Sequence, residues 1–335
     1  MYQYAEVVHW MKQQNSVIIP ASVDIDLTNH CNQDCYYCES AEFRENNLTA
    51  QPMQDYVDLL NKLAAWREHS PNSTGSLHTV TFSGSGEPTL FKGYEKLIEQ
   101  SIKLGFRTSM ITNGVNLDKV LDIDYKDLAW IGVDLDAGNQ ATYEKIRQTK
   151  GRSIFKRVLK NIKSLTNAGI VVDVKILLNE HNCTEKELTD IFTVSADLGI
   201  RYLYFRPTVT DGVPYDFRPY IGFINHMATK HNIQLKMNLK KFEPRTYNRC
   251  HQMYQFLIFC PDGKMYTCCE NKGVERFAIG PWNQGDFRDL WLGSTHHDIY
   301  NSINTKLCPP CRSHNHNLAI QQILDDPDLM DVLYY

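Results

Sequence analysis

Three cysteines stand within eight residues in Cys31-Asn-Gln-Asp-Cys35-Tyr-Tyr-Cys38. That number suits few structural uses of cysteine. A structural zinc site takes four ligands, and a disulfide framework takes an even count in an exported chain. An iron-sulfur cluster can be held by three thiolates that leave one iron open for chemistry, and cluster ligands often come from tight loops. The loop therefore reads as a site that something other than protein completes. A zinc knuckle that borrows His30 is the alternative on spacing alone.

A second cysteine group lies near the other end: Cys250, then Cys260-Pro-Asp-Gly-Lys-Met-Tyr-Thr-Cys268-Cys269, then Cys308-Pro-Pro-Cys311. Cys250, Cys268, Cys308 and Cys311 supply four thiolates, enough to close a cluster. Gly263 would turn a hairpin between the first two of them. The competing reading is a structural zinc held by Cys308, Cys311, His314 and His316. Cys183, Cys260 and Cys269 are left over; Cys183 could face a substrate and return a hydrogen atom, or be a small buried hydrophobe.

The elements that must position these groups alternate in type between residues 20 and 210. Short β-branched runs are expected as strands at 23–28, 78–84, 107–114, 130–137, 171–178 and 202–209. Apolar residues at three and four spacing predict helices at 56–66, 94–105 and 154–169, the last stopped by Gly169. Six βα units imply an α/β fold, a partial barrel around a parallel sheet, with ligands gathered at the C-terminal ends of the strands. The first cysteine loop follows the first strand directly. Beyond residue 240 the texture changes to clustered Cys, His, Asn and Gly. The expected division is an N-terminal extension (1–20), the barrel (21–240), a small auxiliary domain (241–320) and a tail (321–335).

Composition is that of a globular chain, with 22% charged and 42% hydrophobic residues, and a net charge of -4 gives no basic footprint for nucleic acid. No apolar run is long enough to span a bilayer. No export leader is recognisable at the N-terminus, so the expected location is the cytoplasm, where ten cysteines would stay reduced and available for metal or redox work.

The CxxxCxxC spacing, with Tyr37 just before the last cysteine, resembles the radical S-adenosylmethionine (SAM) enzymes. The resemblance implies an open (β/α)6 barrel, a [4Fe-4S] cluster on Cys31, Cys35 and Cys38, and SAM chelating the fourth iron. Reductive cleavage of SAM would then give a 5'-deoxyadenosyl radical that abstracts hydrogen from the substrate. Ser83-Gly84-Ser85-Gly86-Glu87-Pro88 is similar to that family's GGEP segment, with Ser85 in place of a glycine, and implies backbone and acid contacts to SAM's amino group. Asn113 stands in a TNG segment, and Asp134 replaces a serine that commonly contacts SAM. Arg147 matches an arginine for SAM's carboxylate, against the rival of a solvent-facing helix arginine. Arg206, at the end of the sixth strand, would point to the same barrel mouth.

The second cysteine group resembles the Twitch, or shortened SPASM, domain, which implies an auxiliary [4Fe-4S] cluster. Its ligand spacing is similar to that of 2-deoxy-scyllo-inosamine dehydrogenases. The function implied is oxidation or epimerisation at an alcohol-bearing carbon of a small polar substrate, sugar- or aminocyclitol-like, with a flavodoxin- or ferredoxin-type electron donor. A maturase of ribosomally made peptides is the runner-up. A molybdenum-cofactor cyclase is disfavoured by the ending DVLYY, which lacks that family's paired glycines. A zinc-binding interaction module without catalysis is the alternative from another class.

Overall fold

A computed structural model describes residues 2–13, 18–46, 49–68, 77–118, 120, 123, 128–149, 153–326 and 328–329. All six expected strands form, as β1 (Ser22–Asp26), β2 (Thr79–Ser83), β3 (Arg107–Thr112), β4 (Leu128–Asp134), β5 (Val172–Leu178) and β6 (Tyr202–Pro207). They pair in parallel and in chain order. The helices that link them carry one buried stripe each. In α6 (Ile154–Asn167), for example, Phe155, Val158, Ile162 and Leu165 are buried at the spacing of one helix face, and Gly169 follows in the left-handed region.

The sheet is larger than six strands. A short hairpin, β7 (Val209–Thr210) with β8 (Val213–Pro214), follows β6, and β9 (Gln234–Met237) then adds in parallel to β6. At the other edge β10 (Phe256–Phe259) runs parallel to β1, and β11 (Lys264–Tyr266) and β12 (Ala278–Pro281) continue it antiparallel. Gly263, with φ of 83°, makes the β10–β11 turn as expected. The strands beyond residue 240 thus extend the barrel's own sheet.

The remaining helices are α1 (Tyr2–Gln13), α2 (Ala41–Asn46), α3 (Met53–Glu68), α4 (Tyr94–Lys103), α5 (Gln140–Arg147), α7 (Glu185–Leu198), α8 (Ile221–His231), α9 (Ser294–Ser302) and α10 (His314–Asp325). Helix α1 packs on α10, with Val7 and Val8 buried and a 3.0 Å hydrogen bond between Tyr4 and His316. Residues 321–325 therefore belong to a packed helix, whereas the closing DVLYY lies outside the described residues. Trp66, Phe287 and Trp291 form an edge-to-face aromatic layer, and the Trp291 indole donates to Ile18 O at 2.7 Å. Among the described residues no helix is long and apolar enough to cross a membrane.

Candidate active site

The chain leaves β1 at its C-terminal end and enters the cysteine loop, which α5 grips. Asp34 N donates to Arg147 O at 3.2 Å, Tyr36 N to Ile146 O at 3.3 Å, and Gln33 Nε2 to the Tyr143 hydroxyl at 2.7 Å. Cys31, Cys35 and Cys38 all line one open cavity of about 220 Å³. Burial pushes the Cys35 thiol up to about 11 and raises Cys31 as well. Thiols so placed stay protonated until a metal group takes the proton's place. Two guanidiniums stand ready to offset their charge, Arg44 at 3.6 Å from Cys38 Sγ and Arg147 at 3.6 Å from Cys35 Sγ.

The loop after β2 lies against the cysteine loop. Gly86 N donates to Thr28 O at 3.0 Å and Glu87 N to His30 O at 2.7 Å. A Cβ on Gly86 would meet His30 O at 2.1 Å, and one on Gly84 would meet Gly86 O at 2.3 Å. Both glycines are required by close backbone approach. Ser83 and Ser85 each donate to Asp26, at 2.8 and 2.9 Å, and Lys272 closes on the same carboxylate at 2.8 Å. Ser85, the departure from a double glycine, is thus a bridge to β1. Glu87 is buried and accepts from Thr89 N, Thr89 Oγ1, Thr112 Oγ1 and Asn113 N. Its carboxylate ties the loop to β3 while Glu87 also lines the cavity. Asn113 itself donates to Asn32 at 2.6 Å and so braces the cysteine loop from β3.

On the far side, Arg147 is 5% exposed, which overturns the solvent-facing alternative. It faces Asp136 at 2.6 Å, and the Tyr37 hydroxyl donates to that same carboxylate. The Arg147 Nε stays buried without a partner, as does Asp134 Oδ1 at the end of β4. Asp134, Arg147 and Arg206 line the cavity with the cysteines, so the expected residues of this site converge except for Cys183.

A model of the radical SAM superfamily matches residues 25–188. The chain belongs to the radical SAM superfamily. A probable GTP 3',8-cyclase of Saccharolobus islandicus is 26% identical over 265 residues, covering 73% of this chain and 81% of the cyclase. The sporulation killing factor maturation protein SkfB of Bacillus subtilis is 27% identical over 183 residues, covering 54% of this chain and 41% of SkfB. Among solved structures, Streptococcus suis SuiB bound to S-adenosylmethionine superposes with a TM-score of 0.68 at 15% identity, over 91% of this chain and 72% of SuiB. These establish a radical SAM enzyme fold and leave the substrate open.

The cavity fits the groups that a radical SAM enzyme holds. Three thiols, two nearby guanidiniums and the orphaned polar atoms of Asp134 and Arg147 suit a cluster and a zwitterionic ligand. Among the described residues no three His, Cys, Asp or Glu side chains converge as ligands of a single ion.

A second cavity, of about 30 Å³, is lined by Cys250, Cys268, Cys308 and Cys311 together with Tyr247 and Asn317. The four spaced thiols are thus brought together, while neither histidine of the competing zinc set lines this cavity, His314 standing behind Tyr247. His316 bonds Tyr4, and His314 Nδ1 meets the Tyr247 hydroxyl at 3.3 Å. Cys269, next to Cys268, lines the barrel cavity instead.

Cys183 does not reach either cavity. It is 1% exposed in the core, and burial pushes its thiol up to about 12. The hydrogen-donor reading of Cys183 is corrected to that of a small buried hydrophobe. Sequence reasoning also missed Asp26, Lys175, Lys272, Cys269 and Arg312, which line the cavity. The signal was present for two of them: Asp26 and Lys175 interrupt apolar strands, where a charged residue must find a function or a partner.

Proposed function

We propose that this radical SAM enzyme oxidises an alcohol-bearing carbon of a small polar substrate seated in the barrel cavity. Bound to Cys31, Cys35 and Cys38, a [4Fe-4S] cluster with SAM supplies the 5'-deoxyadenosyl radical that removes the hydrogen atom. The chain's own residues do the rest. Gly84 and Gly86 let the loop after β2 close on the cysteine loop, and Asn113 and the Arg147 carbonyl hold that loop in place. Asp134, with its free Oδ1, accepts the hydroxyl proton as the carbon becomes a carbonyl and releases one electron. Cys250, Cys268, Cys308 and Cys311 would hold an auxiliary [4Fe-4S] cluster, which would supply the acceptor for that electron, and a flavodoxin- or ferredoxin-type protein would provide the electron that starts the cycle.

The observation that supports oxidation over epimerisation is the placement of consecutive residues. Cys268 lines the four-cysteine cavity and Cys269 lines the barrel cavity, so one peptide unit separates the two. The test is anaerobic turnover of the reconstituted enzyme with dithionite, SAM and a panel of aminocyclitols and sugars deuterated at the alcohol carbons. Deuterium in 5'-deoxyadenosine with a matching ketone supports the reading; deuterated 5'-deoxyadenosine with an inverted alcohol moves it to epimerisation.

A second reading, maturation of a ribosomally made peptide, is favoured by the similarity to SkfB and to SuiB, which has also been solved with its precursor peptide SuiA. Turnover of a peptide with no polyol turnover would establish it in place of the first.

A further inference from the structure

Most cations lining the barrel cavity are matched within the protein. Lys272 pairs with Asp26 at 2.8 Å, Arg147 with Asp136 at 2.6 Å, and Arg312 with Glu270 at 2.9 Å, while Arg44 faces Cys38 Sγ. Lys175 and Arg206 are matched by no acid and lie only over aromatic rings, of Trp130 at 5.5 Å and of Tyr204 at 5.8 Å. Neither makes a hydrogen bond or ion pair among the described residues, and Arg206 Nε is buried without a partner. Lys175 is only 8% exposed. Asp173, the acid nearest to it in sequence, is held by Arg201 through bonds of 2.9 and 2.8 Å.

The two cations belong to one face. In the β5–β6 register Lys175 stands opposite Tyr204 and Leu177 opposite Arg206, so Lys175 and Arg206 project from the same side, one pleat apart. The fold makes room for the lysine: a Cβ on Gly132 would come within 2.9 Å of Lys175 Cε. Asp134 lies beside Lys175 in the β4–β5 register and is one acid against two cations. Asp24, across the barrel, is pushed up to about 7 by burial and by Asp26, so it carries only part of a negative charge at neutral pH. Keeping an unpaired ammonium out of water is costly, and a built-in slot for one points to an anion from outside the chain.

We propose that Lys175 and Arg206 form the subsite for a carboxylate or phosphate group carried by the substrate. The guanidinium offers a planar fork and the ammonium a point charge, a combination that holds either oxyanion. The inference rests on reading the barrel cavity as the substrate site. SAM brings a carboxylate of its own, so the experiment must separate the two sources.

The probe is inorganic phosphate, titrated calorimetrically into the full-length, cluster-loaded protein already saturated with SAM. SAM affinity is measured in parallel by equilibrium dialysis on the wild type, Lys175→Met, Arg206→Gln and the charge-preserving Lys175→Arg. Saturable phosphate binding that weakens about tenfold in Lys175→Met and Arg206→Gln, recovers in Lys175→Arg, and leaves SAM affinity within about threefold is the expected result. A comparable fall in SAM affinity would assign the cations to SAM's carboxylate and overturn the proposal. So would absent phosphate binding in the wild type, or equal binding in all variants. Should Lys175→Met fail to fold, Arg206→Gln, on the neighbouring strand, carries the same test. Failure of the cavity reading itself is distinguishable, because the wild type would then not bind SAM.

Discussion

The two cysteine cavities are built on opposite terms. The barrel cavity draws three thiols from one short loop at the end of β1, and its walls carry acids and bases from β1, β4, β5 and β6. The second cavity draws four thiols from segments separated by as many as sixty residues of chain, between Cys250 and Cys311, and its lining mixes Tyr247, Ile303 and Pro309 with Arg245, Glu270 and Asn271. The first is a cavity of about 220 Å³ with room for a polar ligand; the second, of about 30 Å³, leaves little space beyond its four thiols. The difference teaches that two thiol sites can be assembled in two ways, by local spacing with room left for a ligand in one case and by long-range packing around the thiols themselves in the other.

The seam between them is an ion-pair cluster. Arg312 reaches Glu270 at 2.9 Å and Glu39 at 3.9 Å, and Lys241 stands 3.8 Å from both acids. Glu39, Glu270 and Arg312 each directly follow a cysteine, Cys38, Cys269 and Cys311. The two cavities are therefore held in register by charges one residue away from their thiols.

The largest expected effect comes from breaking the first site. Replacing Cys31, Cys35 and Cys38 by Ala together should lower iron in the anaerobically purified protein from about eight to about four per chain and abolish 5'-deoxyadenosine formation. Four falling to none would remove the auxiliary cluster and with it the comparison. Replacing Cys250, Cys268, Cys308 and Cys311 should also remove about four irons, yet stop product formation while SAM cleavage persists. Loss of SAM cleavage there would mean that the cavities act as one unit.

Smaller effects sharpen the contrast. Gly86→Ala should weaken SAM binding at least tenfold and cost about 1–3 kcal/mol in stability, because backbone rather than a flexible side chain occupies the space. SAM affinity equal to wild type would show that the loop yields. Arg312→Gln should cost about 1–3 kcal/mol by leaving buried Glu270 with Lys241 alone, at 3.8 Å, as its cation, and should alter the electron paramagnetic resonance signals of both clusters. A change at one cluster alone would mean that the seam does not couple them.

Acid stability should separate the regions as well. His296 is fully buried, and burial lowers its imidazole to about 4 from an ordinary 6.5. The folded state thus binds fewer protons than the unfolded chain in that window, and the stability that His296 contributes is lost as pH falls from 6.5 through 4. The loss is on the order of 3 kcal/mol, and His296→Phe should flatten it in urea titrations across that range. An unchanged slope would assign acid sensitivity to the barrel.

Much of this molecule was legible in the chain. The period-two runs found β1 through β6 within a few residues, because each strand is continuous and bounded by turn residues. The cysteine loop and the Ser83–Pro88 segment were legible because their function depends on local spacing. Pairing of Arg147 with Asp136, the engagement of Glu87 by four donors and the burial of Cys183 were not, since each depends on partners brought from distant elements. The addition of β10–β12 to the barrel sheet was missed for the same reason, as a short edge strand carries no mark of its neighbour.

By itself, then, the sequence determined the order of elements, the first metal loop and the set of thiols available for a second. Only the tertiary structure decided which thiols share a cavity, that Cys268 and Cys269 face different ones, and that Lys175 and Arg206 stand unpaired in the barrel. The physical reason is that spacing along the chain governs local geometry, whereas burial and charge pairing are properties of the packed assembly.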